Sequence, residues 1–291
     1  MILVFRLLSH LSLAWLHRLG AVAGWLAWLF SPTYRHNMRE NLRLALGDDA
    51  RRVLAAAVAH AGRQSLELPK IWLRPIDEVA GRVREVSGWE QVEAAARAGR
   101  GILYLTPHLG CFEITAQYVS TRMPVTVLYR PPKQRWLQPL IELGRSRGRL
   151  FIAPANLSGV RTLLRALKRG EAVGMLPDQA PRHGEGRWVD FFGRPAYTMT
   201  LAARLSESGA TVLVVWAERL PDGAGYHLHL QAPSSPIEGT LEERARRINH
   251  EIERLILQCP EQYLWGYNRY KRSRRARASE NLDQGAGDRG Q

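Results

Sequence analysis

Residues 101–113 read Gly-Ile-Leu-Tyr-Leu-Thr-Pro-His-Leu-Gly-Cys-Phe-Glu, and the rest of the chain is organised around them. Ile102 to Leu105 is a short apolar run of strand-formers between Gly101 and Pro107, the pattern of a buried strand that stops abruptly. Gly110 permits a tight turn, and Cys111 to Arg122 has the spacing of a helix. His108 therefore falls on a strand-to-helix loop, and Glu113 in the first turn of the helix. Residues five apart on one continuous helix point about 140° apart. Set on a loop and a first turn, the two side chains can converge. A carboxylate on one imidazole nitrogen fixes the tautomer and stabilises the imidazolium, which frees the other nitrogen to act as a general base. The expectation is a His108–Glu113 pair. Spacing alone is a weak signal: 9 His and 27 acidic residues in 291 positions give about one such pair by chance. The alternative is a loop histidine with a structural hydrogen bond. Position weighs against it, because open α/β sheets bind ligands beyond the carboxyl ends of their strands.

Outward from this stretch, the chain alternates strands and helices from Val83 onward. Strands are expected at Val83–Val86, Ile102–Leu105, Val125–Leu128, Leu150–Ala153, Ala172–Leu176, Thr211–Trp216 and Tyr226–Gln231. Helices are expected at Trp89–Arg97, Phe112–Thr121, Gln134–Arg147, Leu157–Lys168, Ala196–Ser206 and Leu241–Leu257. The pattern argues for an α/β fold with a mixed, mostly parallel central sheet and helices on both faces. An N-terminal, membrane-associated helical layer precedes it. The expected division is an apolar anchoring helix at 1–30, a basic amphipathic layer at 31–80, the α/β domain at 81–272 and a disordered polar tail at 273–291.

The first 30 residues read as one long helix, apolar on most sides, with Arg6, His10, His17, Ala21 and Gly24 forming a narrow polar and small stripe. Such a helix lies in or dips into a bilayer while its stripe packs on protein. Trp25 and Trp28 suit a lipid interface. No clear small-residue cleavage site marks a signal peptide, and the uncharged run is short for a span of about 20 residues. Pro32 starts a basic amphipathic helix stopped by Gly47, and a further helix runs from Asp48-Asp49 to about Trp72.

The net charge of +14 points to an anionic partner, whether nucleic acid, acidic lipid or acidic protein. Cys111 and Cys259 are the 2 cysteines, too few for a disulfide framework or a zinc site, which fits a reducing compartment. Cys111 lies near His108, so a thiol nucleophile is to be weighed against a small buried residue. No P-loop, GxGxxG, GxSxG or HExxH sequence is present, which removes the commonest nucleotide, serine-hydrolase and zinc-protease chemistries. Three further stretches follow strands: Tyr129-Arg130-Pro131, Met175-Leu176-Pro177-Asp178-Gln179 and Tyr263 to Lys271 (YLWGYNRYK). Asp178 is either a turn residue or a group lining the cleft. The last stretch, with Arg269 and Lys271, is either a capping segment or an anion clamp. Arg145 and Arg147 could stabilise charge developing on a carbonyl, with Arg161 a weaker candidate.

PHLGCFE, YRP, MLPDQ and YLWGYNRYK occur in an order that resembles the lipid A biosynthesis (lauroyl/myristoyl, late) acyltransferases. More distantly they resemble glycerolipid acyltransferases with a His-x4-Asp/Glu box. The likeness covers about residues 1–272 and includes HNMRENLRLA at 36–45. It implies an inner-membrane enzyme facing the cytoplasm, which moves a fatty acyl group from acyl carrier protein to a hydroxyl of a phosphorylated lipid A precursor. No cofactor or metal is implied. By position, His108 is the base and Glu113 its partner, while Arg130, Arg145, Arg147, Asp178 and Gln179 fall in or near the substrate site. Cys111-Phe112 stands where many members have Asn-Trp, and Tyr267-Asn268 where many have a His-containing pair. The acceptor and chain length therefore stay open, as does acylation of another lipid such as a lysophospholipid or ornithine lipid. A nucleic-acid-binding protein is suggested by the charge and by Lys271 to Arg275, but a tryptophan-rich apolar start has no use on DNA. A non-catalytic membrane scaffold is the third class.

Overall fold

The computed structural model describes residues 2–132 and 134–271; the tail expected to be disordered lies outside the described residues. Four helices come first: α1 (Ile2–His10), α2 (Leu13–Phe30), α3 (Pro32–Leu46) and α4 (Ala50–Leu73). The single long helix expected at the start is thus two. Ser12 is the reason: its backbone is extended and its hydroxyl accepts a hydrogen bond from the Trp15 amide, so it caps a new helix. Ser31 and Pro32 likewise open α3, and Gly47, with φ 55°, ends it.

The stripe on α2 packs against α4. Gly20 and Gly24 meet Gly62 so closely that a β-carbon on Gly62 would lie 1.9 Å from the Gly20 carbonyl oxygen. Only paired glycines allow this approach. Gly62→Val is expected to force the helices apart and cost about 1–3 kcal/mol, readable as a lowered urea midpoint with unchanged slope.

The helix α5 (Ile76–Ala80) leads into β1 (Val83–Ser87), α6 (Trp89–Arg97), β2 (Ile102–Leu105), α7 (Phe112–Ser120) and β3 (Val125–Tyr129). Then follow α8 (Gln138–Arg145), β4 (Leu150–Pro154), α9 (Leu157–Lys168) and β5 (Ala172–Met175). The expected helix at 134–147 is a 3-10 turn at Arg135–Leu137 joined to α8. The chain closes with β6 (Gly186–Phe191), β7 (Arg194–Met199), α10 (Leu201–Leu205), β8 (Thr211–Arg219), β9 (Tyr226–Gln231) and α11 (Leu241–Gln258).

Seven strands form one sheet in the order β1-β9-β8-β2-β5-β3-β4, parallel except where β8 meets β9. β2 is central and fully buried, so its residues serve both faces in turn. Leu103 and Leu105 join Val173, Met175 and Val214 under α9 and α11. Ile102 and Tyr104 join Ala172, Leu213 and Val215 under α7 and α8.

The helix expected over Ala196–Ser206 does not form over that range. Residues up to Met199 form β7, paired antiparallel with β6 in a separate hairpin, and α10 covers only Leu201–Leu205. The turn at Phe192-Gly193 has positive φ at both positions, 48° and 68°. That twist joins two strands directly, and Phe192 is an uncommon residue there, which hid the turn from a reading of composition.

Candidate functional site

β2 and β5 are parallel neighbours, with Leu105 opposite Met175. Three residues beyond each strand end come His108 and Asp178, so the register itself carries the two side chains to the same place. The Nδ1 atom of His108 lies 2.8 Å from Asp178 Oδ1, and the His108 backbone N–H donates to Oδ2 at 2.9 Å. Asp178 is buried, with 2 % of its surface exposed. Burial alone would raise its pKa; the His108 ring and the two hydrogen bonds outweigh this and hold the carboxyl below the usual aspartate range. An ionised carboxylate can only accept, so Nδ1 carries the proton and Nε2 presents a lone pair. The amide Nε2 of Gln179 stands 3.2 Å from that lone pair. The ring also packs against Phe112, centroids 4.7 Å apart.

Glu113 is not the carboxylate on this imidazole. Its first-turn position on α7 faces the ends of α4 and α8. Arg145 grips it through both oxygens, Nε reaching Oε2 at 3.0 Å and Nη2 reaching Oε1, and Trp72 Nε1 donates at 3.1 Å. Among the described residues no hydrogen bond joins Glu113 to His108. Burial would raise the Glu113 pKa; the Arg145 charge, the hydrogen bonds from Arg145 and Trp72, and the nearby His108 together keep it low.

The other arginines fall apart in role. Arg147 donates to Gln117 Oε1 at 2.9 Å and to the carbonyls of Ile71 and Arg74, so it closes the end of α4 and is spent on structure. Arg130 is half-exposed at the end of β3, 3.5 Å from Glu185. Arg161 is exposed on α9. Arg269 is no surface clamp: it is buried and donates to the Tyr197 carbonyl at 2.8 Å and to Thr198 Oγ1 at 2.7 Å, fastening the β6–β7 hairpin. Lys271 is exposed, 4.8 Å from the centroid of the Tyr267 ring. Cys111 is buried, and burial pushes its thiol pKa well up, so it remains protonated and is no nucleophile.

The YLWGYNRYK stretch lines the loop directly. The Leu264 amide donates to the His108 carbonyl at 3.1 Å, and the Tyr267 hydroxyl accepts from the Ala180 amide at 3.0 Å. Asn41 on α3 donates to the carbonyls of Trp265 and Tyr267 at 2.7 and 2.8 Å, which ties the segment at 36–45 to the site.

A buried network, missed in the sequence, supports the turn after His108. Arg219, at the end of β8, donates to both oxygens of Glu67 at 2.7–3.1 Å and to the Gly110 carbonyl at 2.6 Å. Gln64 also donates to that carbonyl, at 3.3 Å. His17 on α2 lies 3.2 Å from Glu67, and the Tyr226 hydroxyl donates to it at 3.0 Å. The only hint in the sequence was a charged residue in each of two apolar settings, β8 and the buried face of α4.

The comparisons with known proteins fit this geometry. The model of the bacterial lipid A biosynthesis acyltransferase family matches residues 1–272. The chain is 30% identical over 267 residues to the lipid A biosynthesis lauroyltransferase of Escherichia coli, covering 88% of this chain and 85% of that one. It is 27% identical to the palmitoleoyltransferase of the same organism, with coverages of 87% and 84%. It is 26% identical to the myristoyltransferase, with coverages of 86% and 78%. The block order, the strand-end histidine and the match across nearly all the described residues agree: this chain is an acyltransferase and belongs to the bacterial lipid A biosynthesis acyltransferases.

Proposed function

We propose that this enzyme transfers a fatty acyl group from acyl carrier protein to a hydroxyl of a phosphorylated lipid A precursor, a late, secondary acylation, at the cytoplasmic face of the inner membrane. The observation that carries the reading is His108 at the exit of β2, oriented by Asp178 and with Nε2 directed to the Gln179 amide. A hydroxyl is a poor nucleophile at neutral pH and needs a base, whereas a thioester is already activated. The acceptor hydroxyl displaces the Gln179 amide from Nε2 and gives its proton to that nitrogen as its oxygen attacks the thioester carbon. The tetrahedral oxyanion collapses, the C–S bond breaks, and the departing thiolate takes the proton back from the imidazolium. Asp178 stabilises the imidazolium in between. Gln179, freed from the ring, can donate its amide to the oxyanion.

Glu113 then acts through Arg145, as a positioning residue. Glu113→Ala leaves the half-buried Arg145 guanidinium without its carboxylate and is expected to impair folding as well as transfer. Glu113→Gln keeps the shape and is expected to cost about 1–3 kcal/mol through the weakened charged hydrogen bonds, with transfer reduced less than in a His108 variant. Chemical denaturation alongside the transfer assay checks both.

The net charge of +14 suits an acidic carrier protein and a phosphorylated acceptor. The first helices suit a membrane. Among the described residues α2 is the single helix long and apolar enough to cross one, yet a third of it is buried on protein. Its outer face exposes Trp15, Leu19, Val22, Trp25, Leu29 and Phe30. The exposed Trp136 meets Phe5 of α1 edge to face. Release of the protein from membranes is expected to need detergent; release by salt alone would count against an apolar attachment.

The direct test incubates purified enzyme with the acyl group as a thioester of acyl carrier protein or of coenzyme A and, separately, a lipid A precursor, a lysophospholipid and an ornithine lipid. Transfer is expected to the lipid A precursor. Transfer only to another lipid would overturn the acceptor, and transfer only from a different thioester would overturn the donor.

A further inference from the structure

One cluster plays no part in this chemistry. On β9, His227 and His229 alternate to the same face of the sheet, their ring centroids 3.9 Å apart. Register sets their neighbours. His227 lies between Glu85 of β1 and Glu218 of β8, while His229 lies between Ser87 and Trp216. We propose that Glu218, His227 and His229 form a binding site for a divalent transition-metal ion of the zinc type, separate from the acyl-transfer site.

The distances are close to what such an ion needs. Metal bonds to histidine and carboxylate of about 2.0–2.2 Å, arranged tetrahedrally, place neighbouring ligand atoms roughly 3.3–3.5 Å apart. One ligand atom from each of Glu218, His227 and His229 lies within 4.8 Å of the others, and Glu218 Oε2 is already 3.0 Å from His229 Nε2. A bound ion would draw these side chains, which are partly open to solvent, closer by rotation. Two imidazoles and a carboxylate are the ligand chemistry of zinc and its neighbours, not of calcium or magnesium, which take oxygen sets.

The surroundings look built for orientation. His229 is stacked on Trp216, centroids 4.4 Å apart and planes 12° apart. Ser87 Oγ holds His227 Nε2 at 2.8 Å, and Glu85 stands 3.4 Å from Nδ1. Ser87 on Nε2 is an outer partner of the kind that fixes a ligating ring and its tautomer, leaving Nδ1 to bind the ion. Glu85 is exposed beside His227 but stands outside this ligand group, so water would complete the coordination. The ion would join β8 to β9 and draw in the edge strand β1, whose own residues are half-buried or exposed.

The test uses untagged, full-length enzyme in detergent, stripped with a chelator and titrated with Zn2+ against a chromophoric competitor. One Zn2+ per chain is expected. His227→Gln or His229→Gln is expected to weaken binding by at least about tenfold, the lower end for disturbing even the outer partners of a metal site, with acyl transfer unchanged. Co2+ added to the wild-type protein is expected to give the intense visible bands of a four-coordinate ion, a readout that needs no variant. Absence of saturable binding, a weak six-coordinate Co2+ spectrum, or wild-type affinity with His227→Gln and His229→Gln combined would overturn the proposal.

Discussion

His108→Ala is expected to lower kcat for acyl transfer by about 10²–10⁴-fold, the usual contribution of a positioned general base. KM for either substrate should move little, because the imidazole acts on the transferring proton and not on the bulk of the acyl chain or the lipid. The alanine variant also strips a buried carboxylate of its ring partner, so its melting temperature should be measured with its rate. Asp178→Asn avoids that problem by keeping the shape. An amide at 178 can donate to Nδ1 and favour the tautomer with the proton on Nε2, where a base must have none. A loss of similar size is therefore expected, with little loss of stability. The measurement is a stopped assay of acyl transfer from the carrier thioester, with circular dichroism as the control for folding.

The second large effect is on stability. Glu67 and Arg219 are both fully enclosed, and each is the other's main charge partner. Removing one partner of a buried pair costs about 3–5 kcal/mol, because the remaining charge is left without compensation. Arg219→Met is expected to cost that much and to loosen the Gly110 carbonyl, two residues after His108. Replacing both with apolar residues should recover part of the stability but not the hold on the turn. The pair also sets acid sensitivity. Burial would raise the Glu67 pKa, but the Arg219 charge and the hydrogen bonds from His17 and Arg219 bring it down to about 2. A carboxyl depressed below its ordinary value of 4.5 stabilises the fold fully above that pH and loses its contribution as pH falls toward about 2. Denaturation midpoints should therefore fall between these values in the wild type and vary less there in Glu67→Gln.

These two networks also show what a sequence can reveal. The alternation from Val83 onward reflects the local periods of strands and helices, so the parallel α/β fold could be read directly, as could the strand-end position of His108. The carboxylate on its ring could not be chosen by spacing. Glu113 is five residues away in the chain, but α7 turns it toward Trp72 and Arg145. Asp178 is 70 residues away, yet it arrives beside His108 because β2 and β5 are neighbours in register. Strand order is a property of the whole sheet and leaves no mark on the local pattern. The same limit hid Glu67 and Arg219, which meet across 152 residues. Arg147 and Arg269 looked like anion binders because arginine in a polar loop reads the same whether it faces a substrate or a backbone carbonyl. The β6–β7 hairpin was missed for a local reason: its turn places a phenylalanine in a left-handed conformation that asparagine, aspartate or glycine normally announces.

The proposed mechanism requires His108 and Asp178 to work as one catalytic unit. A double-variant cycle on the single-turnover rate of acyl transfer addresses it directly, comparing wild type, His108→Ala, Asp178→Asn and the two combined. Groups that act as a unit lose most of their effect with the first substitution. The combined variant should therefore be no slower than His108→Ala alone. A near-wild-type rate for Asp178→Asn, or losses that multiply in the combined variant, would contradict it.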